Sequence, residues 1–420
     1  MKTKILILSI VLIGLGIGGF LIYQKQKIEP AAQEQFSQTE MPPGVSSSTQ
    51  TDERKTNSEK CPDGIWDEAE QKDPALCPED KPSGIESPQQ QNQSTTEKSE
   101  EWPYDISYNT LVNHILSNNL SAEDKAMLQT WLDDMKSGKR QGPYWDEVRV
   151  ATSEDGLQFA NLEKTVISHA SVPAAVVDNQ GRVWLFYVDF DPEPIERLIK
   201  GEEVDFKAGF QGLAALVSDD GFTFQKVDLE IQDIVQGVAV DPEIVVAADG
   251  TFQLYYLCVS ASELSPNSPD PAKSTGPHSI CLATTKSDLS KWRQVGVAWV
   301  GPHGGADPVV WQINNKTYYI ASGGIGKSVD GGYSFQITSD TELPRVNDNG
   351  GPPGTPDIIK ISGGFRLFHT TKEGIKSLFS KDGLAWQEEG GIRGLGADPT
   401  VIKLNNGNYL MYYKARIQIR

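Results

Sequence analysis

Three copies of a repeated segment open with an aspartate directly before a proline: Asp241-Pro242, Asp307-Pro308 and Asp398-Pro399. An aspartate held there could act as a general base or as the electrostatic partner of one. Several brought together would raise one another's pKa values. The same dipeptide has a plain structural use, the Asp capping loop backbone and the Pro stiffening a strand start where a missing N–H costs nothing. Four of the five histidines, His169, His278, His303 and His369, fall in segments that would share a face with these aspartates, and His114 lies apart. His with Asp or Glu could also hold a metal, although no compact motif such as H-E-x-x-H occurs.

A repeat positions these residues. Gly305–Ile320 reads as a short apolar strand opened by Asp307-Pro308, a turn at Asn314-Asn315, and a second strand rich in aromatics. The pattern recurs at Val240–Leu257, Gly354–His369 and Gly396–Tyr413, and more weakly at Ser171–Tyr187. Pro173, Pro242, Pro308, Pro356 and Pro399 mark the copies, roughly 43 to 69 residues apart. Repeats of this length built only of strands and turns signal β-propeller blades.

A second motif agrees. Ser153–Phe159, Ser218–Phe224, Ser328–Phe335 and Ser380–Trp386 share Ser-x-Asp-Gly followed by an aromatic, with a degenerate copy at Lys286–Trp292. The first such box precedes the first hairpin, and none follows the last. The early strands must therefore complete the final blade, which closes the ring and leaves no free sheet edge. The expectation is an all-β, five-bladed propeller over residues 144–420. Resemblance to known propellers implies a ligand face formed by the loops entering the inner strands and joining second to third strands, which here would carry His169, His303, His369, Arg393, Asp398 and Arg416, with Asp357 further along one inner strand.

The rest of the chain divides by composition. Ile5–Tyr23 is an uninterrupted apolar run just long enough to span a bilayer, flanked by lysines on both sides. With no small-x-small cleavage site after it, residues 1–27 read as an uncleaved transmembrane anchor. Residues 28–103 are dominated by Gln, Ser, Thr, Glu, Pro and Lys and read as a disordered stalk. Residues 104–143 carry two short helices, the second begun by Ser121 and Asp124 as a capping box. These are expected to pack on the side or bottom of the propeller.

The four cysteines, Cys61, Cys77, Cys258 and Cys281, suit two disulfides outside the cell. Cys258 ends one strand and Cys281 begins the next, so the pair would tie a long loop at its base; two buried thiols are the alternative. The cysteine-flanked loop 61–80 is crowded with carboxylates. Such an oxygen-rich loop suits Ca²⁺, a solvated acidic tether being the other reading, and no cofactor is required. A net charge of −19 argues against nucleic acid as partner. The protein is expected as a monomer at the cell surface, touching the membrane through its N-terminal helix only.

Five blades with Asp-Pro strand starts resemble the family 43, 32 and 117 glycoside hydrolases, over roughly Tyr144–Arg420. That resemblance implies a carbohydrate ligand, with one strand-start Asp as base or nucleophile, a second tuning it, and a Glu one blade further on as acid. On this chain Asp241 would be the base and Asp307 the tuner. The third position is Thr355 rather than Glu, which leaves Glu373, Glu243 or Glu193 to supply the proton. The Ser-x-Asp-Gly motifs resemble the Asp boxes of sialidases, where their role is structural. Sialidases normally have six blades and an arginine trio; here Arg393, Arg416 and Arg366 are the candidates. Loop 61–80 resembles small Cys-rich acidic modules of secreted microbial proteins, with Trp66 where that pattern has a second cysteine. Three readings stay open: a glycosidase, a non-catalytic glycan- or protein-binding module, and a structural display protein.

Overall fold

The computed structural model describes residues 106–139, 143–266, 276, 278–303, 305–346 and 353–417. The expected anchor, stalk and Cys61–Cys77 loop lie outside them. Among the described residues no helix is long and apolar enough to cross a membrane.

Five sheets follow the repeat, antiparallel but for one added edge strand. The chain first lays down β1 (Asp146–Ser153) and β2 (Ala160–Ser168). Blade 1 is β3 (Ala170–Val177), β4 (Val183–Asp189), β5 (Leu213–Ser218) and β6 (Gln225–Val227). A short β7 (Glu230–Gln232) then leads into blade 2, made of β8 (Gly237–Val246), β9 (Phe252–Ser260), β10 (Ser279–Thr285) and β11 (Lys291–Val300). β7 pairs with β11 in parallel, giving this blade a fifth strand that the repeat did not foretell. Blade 3 is β12 (Val309–Gln312), β13 (Tyr318–Ala321), β14 (Ile325–Ser328) and β15 (Gln336–Ile337). Blade 4 is β16 (Gly354–Ile361), β17 (Gly364–Thr371), β18 (Gly374–Ser380) and β19 (Gln387–Gly394).

The last two strands, β20 (Ala397–Lys403) and β21 (Tyr409–Arg416), are completed by β1 and β2 in the order β2-β1-β21-β20. Asp146 pairs with Arg416 and Ser153 with Tyr409, so the closure expected from motif order is present in full register. Cys258 and Cys281 are disulfide-bonded between adjacent strands β9 and β10.

Each box lies in the turn between a blade's third and fourth strands. In blade 1, Asp220 accepts hydrogen bonds from the Phe222 and Thr223 amides, and Ser218 Oγ accepts from Gly221. The Thr223 and Phe222 amides hold the Asp220 carboxyl well below the usual range. The box aromatic then meets a ring of the preceding blade edge to face at every junction: Phe224 with Tyr412, Trp292 with Phe186, Phe335 with Tyr255, Trp386 with Trp311, and Phe159 with Phe368. At four junctions the box glycine's carbonyl also accepts from the preceding blade. The donors are Tyr412 OH to Gly221, Tyr255 OH to Gly332, Trp311 Nε1 to Gly383, and an Arg366 N–H to Gly156.

Two helices precede β1, α1 (Tyr108–Leu116) and α2 (Ala122–Lys136), the latter begun by the Ser121–Asp124 capping box. They do not pack at the side or bottom. They sit on the opposite face from the boxes, against the long β4–β5 connection, which holds α3 (Glu193–Lys200). Leu111, Ile115 and Leu132 share one apolar cluster with Leu198, Val204 and Phe210 of that connection. Asn118 exchanges two hydrogen bonds with the Val204 backbone, and Gln211 Nε2 donates to Tyr108 OH. The physical reason is a match of apolar surfaces: Ile195, Ile199 and Phe206 give the loop a hydrophobic top that needs a cover.

If the box aromatic is the joint between blades, Trp386→Ala costs about 3–5 kcal/mol of stability, read from the chemical denaturation midpoint. A loss under about 1 kcal/mol would refute that role.

Candidate functional site

All five inner strands carry the same local distortion. The residue before the proline has positive φ in each: Val172 (47°), Asp241 (54°), Asp307 (46°), Thr355 (39°) and Asp398 (47°). For β-branched Val172 and Thr355 this conformation is a true outlier. In blades 1, 2, 4 and 5 the pairing register breaks at the X-Pro step, a β-bulge.

Backbone N–H groups just past the X-Pro step are taken up by side chains of the neighbouring blade. Glu243 Oε1 accepts from Val310 N–H at 3.2 Å, Asp357 Oδ2 from Val401 N–H at 2.5 Å, and Thr400 Oγ1 from Ala175 N–H at 3.1 Å. Each acceptor is the residue just after a strand-start proline, and each donor is the second residue after the next blade's. In the layer above, Asp241 Oδ2 accepts from Asp307 N–H at 3.4 Å, and Thr370 Oγ1 accepts from Asp398 N–H at 2.9 Å. Asp241, Glu243 and Asp357 thus act first as caps for the backbone, while Asp398 pairs with Lys414.

Asp241, Glu243, Asp357 and Asp398 are buried, Asp307 less completely. Burial pushes the Asp241 carboxyl up to about 7, the Asp398 charge adding to it. Burial likewise takes Asp357 to about 7. Glu243 and Asp307 are raised well above the carboxylate range, by desolvation first and then by Asp357 and by Asp241, respectively. Lys414 forms an ion pair with Asp398; burial alone would lower its pKa, but Asp398 holds the ammonium charged. The cavity lined by Glu243, Asp307, Asp357 and Asp398 has a volume of about 20 Å³. That is room for roughly one water, far below the roughly 300 Å³ where ligand pockets begin. Among the described residues no group of three or more His, Cys, Asp or Glu is arranged to hold a metal ion.

The other expected site residues scatter. Glu373 is exposed in the β17–β18 turn, paired with Lys376 at 2.6 Å. Glu193 begins α3 and is exposed. His169 stacks on Tyr144 with ring centres 4.0 Å apart. His303 is exposed, its backbone N–H bonded to Gly323 O, and His278 Nδ1 accepts from Gly305. His369 is buried in β17. The four histidines therefore do not form one constellation. Arg393, expected on the ligand face, is instead buried inside blade 4, where its Nε donates to Ser377 Oγ at 2.8 Å. A register break between Ile375 and Ser377, opposite Gly394 and Glu389, turns it inward. Arg366 is bidentate with Glu389 of the same blade.

Arg416 does reach a cavity, in company that the sequence motifs did not flag. Its Nε lies 3.2 Å from Asp146, a carboxyl that burial raises to about 6 against the lowering effect of Lys414 and Arg416. Asp146, Lys414 and Arg416 form the strand-end border of a chamber of about 770 Å³ between the lead-in helices and the β4–β5 connection. Trp131, Tyr144 and Phe190 are among its walls. Asp146 opens no motif; only the β1–β21 register, Asp146 opposite Arg416, would have brought it forward.

Carboxyls protonated in the fold and ionised when unfolded make stability fall as pH rises. For Asp241 and Asp357 the contribution is complete below about pH 4 and is lost as pH climbs through about 7. The slope is at most about 1.4 kcal/mol per pH unit for each proton. Asp241→Asn should flatten that slope in urea titrations between pH 4 and 7. An unchanged slope would mean the carboxyl is ionised in the fold.

No known family profile matches the chain, and no curated protein matches it. Solved structures with a similar fold include a family 117 glycoside hydrolase from the marine bacterium Zobellia galactanivorans, at 12% identity and TM-score 0.38, covering 67% of this chain and 94% of that one. The GH43_1 enzyme from Xanthomonas citri complexed with xylose matches at 12% and 0.38, covering 63% and 84%. An exo-beta-1,3-galactanase from Clostridium thermocellum matches at 14% and 0.38, covering 63% and 57%. The chain is a five-bladed propeller on its own strand pairing, and its resemblance is to glycoside hydrolase propellers.

Proposed function

We propose that this protein binds carbohydrate without hydrolysing it, through the chamber beside the axis. The observation that carries this is the use made of the axial acids. Hydrolysis needs two carboxyls facing a sugar, one ready to protonate a leaving group and the other to activate water or attack. Here Glu243 and Asp357 are occupied by backbone amides, the axial cavity admits about one water, and Glu373 is tied to Lys376 in an exposed turn. The chamber has the size of a ligand site. Its aromatic side chains suit the apolar faces of sugar rings, and its carboxylates suit their hydroxyls.

The test is a glycan array and an aryl-glycoside panel with the full-length protein. Binding of at least one glycan is expected, with no turnover of any aryl glycoside. Turnover that disappears in Asp241→Asn would overturn the reading and restore a catalytic axis.

The N-terminal run Ile5–Tyr23 and the polar stretch after it support a propeller held off a membrane surface, and the Cys258–Cys281 bridge suits an oxidising compartment. The full-length protein should then stay with the membrane pellet after alkaline carbonate extraction. Release into the supernatant would remove the anchor.

A further inference from the structure

Blade 4 holds a guanidinium that the rest of the fold leaves unmatched. Arg393 is only 5% exposed, next to the register break of β18 and β19. Its Nε donates to Ser377 Oγ at 2.8 Å, the only hydrogen bond its side chain makes among the described residues. The amino groups Nη1 and Nη2 are left without an acceptor. Ser377 is neutral, and its own hydroxyl donates to Glu389 Oε2 at 2.7 Å.

Glu389 is already committed. Both its oxygens accept from Arg366, from Nε at 2.7 Å and from Nη2 at 3.0 Å, while Arg366 Nη1 donates to Gly156 O of the closing blade. Two buried arginines therefore share one carboxylate. Asp155 also attracts Arg393, but that carboxylate is exposed and engaged with the Leu157 and Gln158 amides of its own turn. Burial draws the Arg393 pKa down from its usual value, Glu389 opposing the fall and Arg366 adding to it. A buried charge without a matching partner is costly, and one further anion would complete the arrangement.

The bulge leaves a way in. Gly390 and Gly391 are exposed, and a Cβ on Gly390 would meet nothing within 4 Å. A Cβ on Gly391, which sits at φ 89°, would stand 3.4 Å from Arg393 Nη1. Glycine there keeps the guanidinium uncovered.

We propose that Arg393 is the centre of an anion site where blade 4 meets the closing blade, taking a single carboxylate on Nη1 and Nη2. A carboxylate matches the planar fork with two parallel N–H···O bonds. Its one charge balances the one arginine in excess. A sulfate or phosphate dianion would overshoot that charge, in a chain whose net charge is −19. Arg393, Arg366, Ser377 and Glu389 lie outside the chamber, so the site stands apart from whatever the chamber binds. Two sources carry this chemistry, a small organic acid and a uronic acid residue of a glycan.

Thermal melts of the full-length protein at neutral pH and constant ionic strength read the site out, with chloride replaced stepwise by acetate, by methyl β-glucuronide or by sulfate. The quantity compared is the shift in unfolding midpoint in the unmodified protein minus that in Arg393→Met, which cancels the general effect of each salt on folding. That difference should rise with acetate or glucuronide, saturate, and reach at least about 2 °C. With sulfate it should stay near zero. Glucuronide acting at concentrations at least about tenfold lower than acetate would support the site with a uronic acid as its source, and equal potency would support it with the small acid. Should Arg393→Met fail to fold, a saturating shift with a carboxylate and none with sulfate in the unmodified protein carries the same test. No saturable difference with either carboxylate, or an equal one with sulfate, would overturn the inference.

Discussion

The ring depends on one contact used five times, an aromatic from each box turned edge-on to a ring of the blade before it. Such pairs add about 0.5–1.5 kcal/mol beyond the area they bury. Their placement matters more than their energy. Phe224 against Tyr412 joins blade 1 to the chain's last strand, so the two ends of the propeller are locked by the same device as its middle. Tyr412 OH on the Gly221 carbonyl adds a directional bond to that joint. A ring closed this tightly forces five inner strands onto one axis.

The crowding at that axis explains the acids. Each inner strand turns through a residue at positive φ, and in four of the five a bulge interrupts the ladder there. An unpaired buried N–H costs about 1–3 kcal/mol. Glu243, Asp357 and Thr400 remove that cost at Val310, Val401 and Ala175. Keeping a carboxyl neutral at pH 7 costs about 1.4 kcal/mol for each unit by which its pKa would otherwise lie below 7, so each cap offsets part of that cost. Carboxyls serving as caps in a cavity one water wide are poorly disposed to reach a sugar. The Thr355 and Val172 positions make the same point from the other side: they keep the backbone geometry with no acid at all.

Much of this architecture was legible in the residues. The five prolines, the Ser-x-Asp-Gly turns and their order were enough for blade number and closure, because turn chemistry is local and repeats amplify it. Cys258 and Cys281 were legible for the same reason, being ends of adjacent strands. What failed was long-range. The helices were expected at the side or bottom, since the periodicity of Leu111 and Ile115 shows an apolar face but not the β4–β5 connection that it covers. Arg393 was misplaced because a register break within β18–β19 cannot be seen in the letters Gly390–Arg393. Asp146 and Lys414 went unflagged because their importance arises only when the first strand meets the last.

That meeting also sets the charge of the chamber. Lys414 borders it, yet its ammonium is already matched by Asp398 on the axis. Arg416 is paired with Asp146, and Lys226 with Asp189. A strongly anionic ligand would have to draw Lys414 from Asp398 or the exposed Arg416 from Asp146, and breaking the buried Lys414 pair costs about 3–5 kcal/mol. A cationic ligand would compete for Asp146 or Asp189, or meet Asp191 and Asp205, which also line the chamber outside these pairs. A neutral molecule disturbs none of these pairs, so at the strand-end border hydroxyl groups enter without breaking an ion pair.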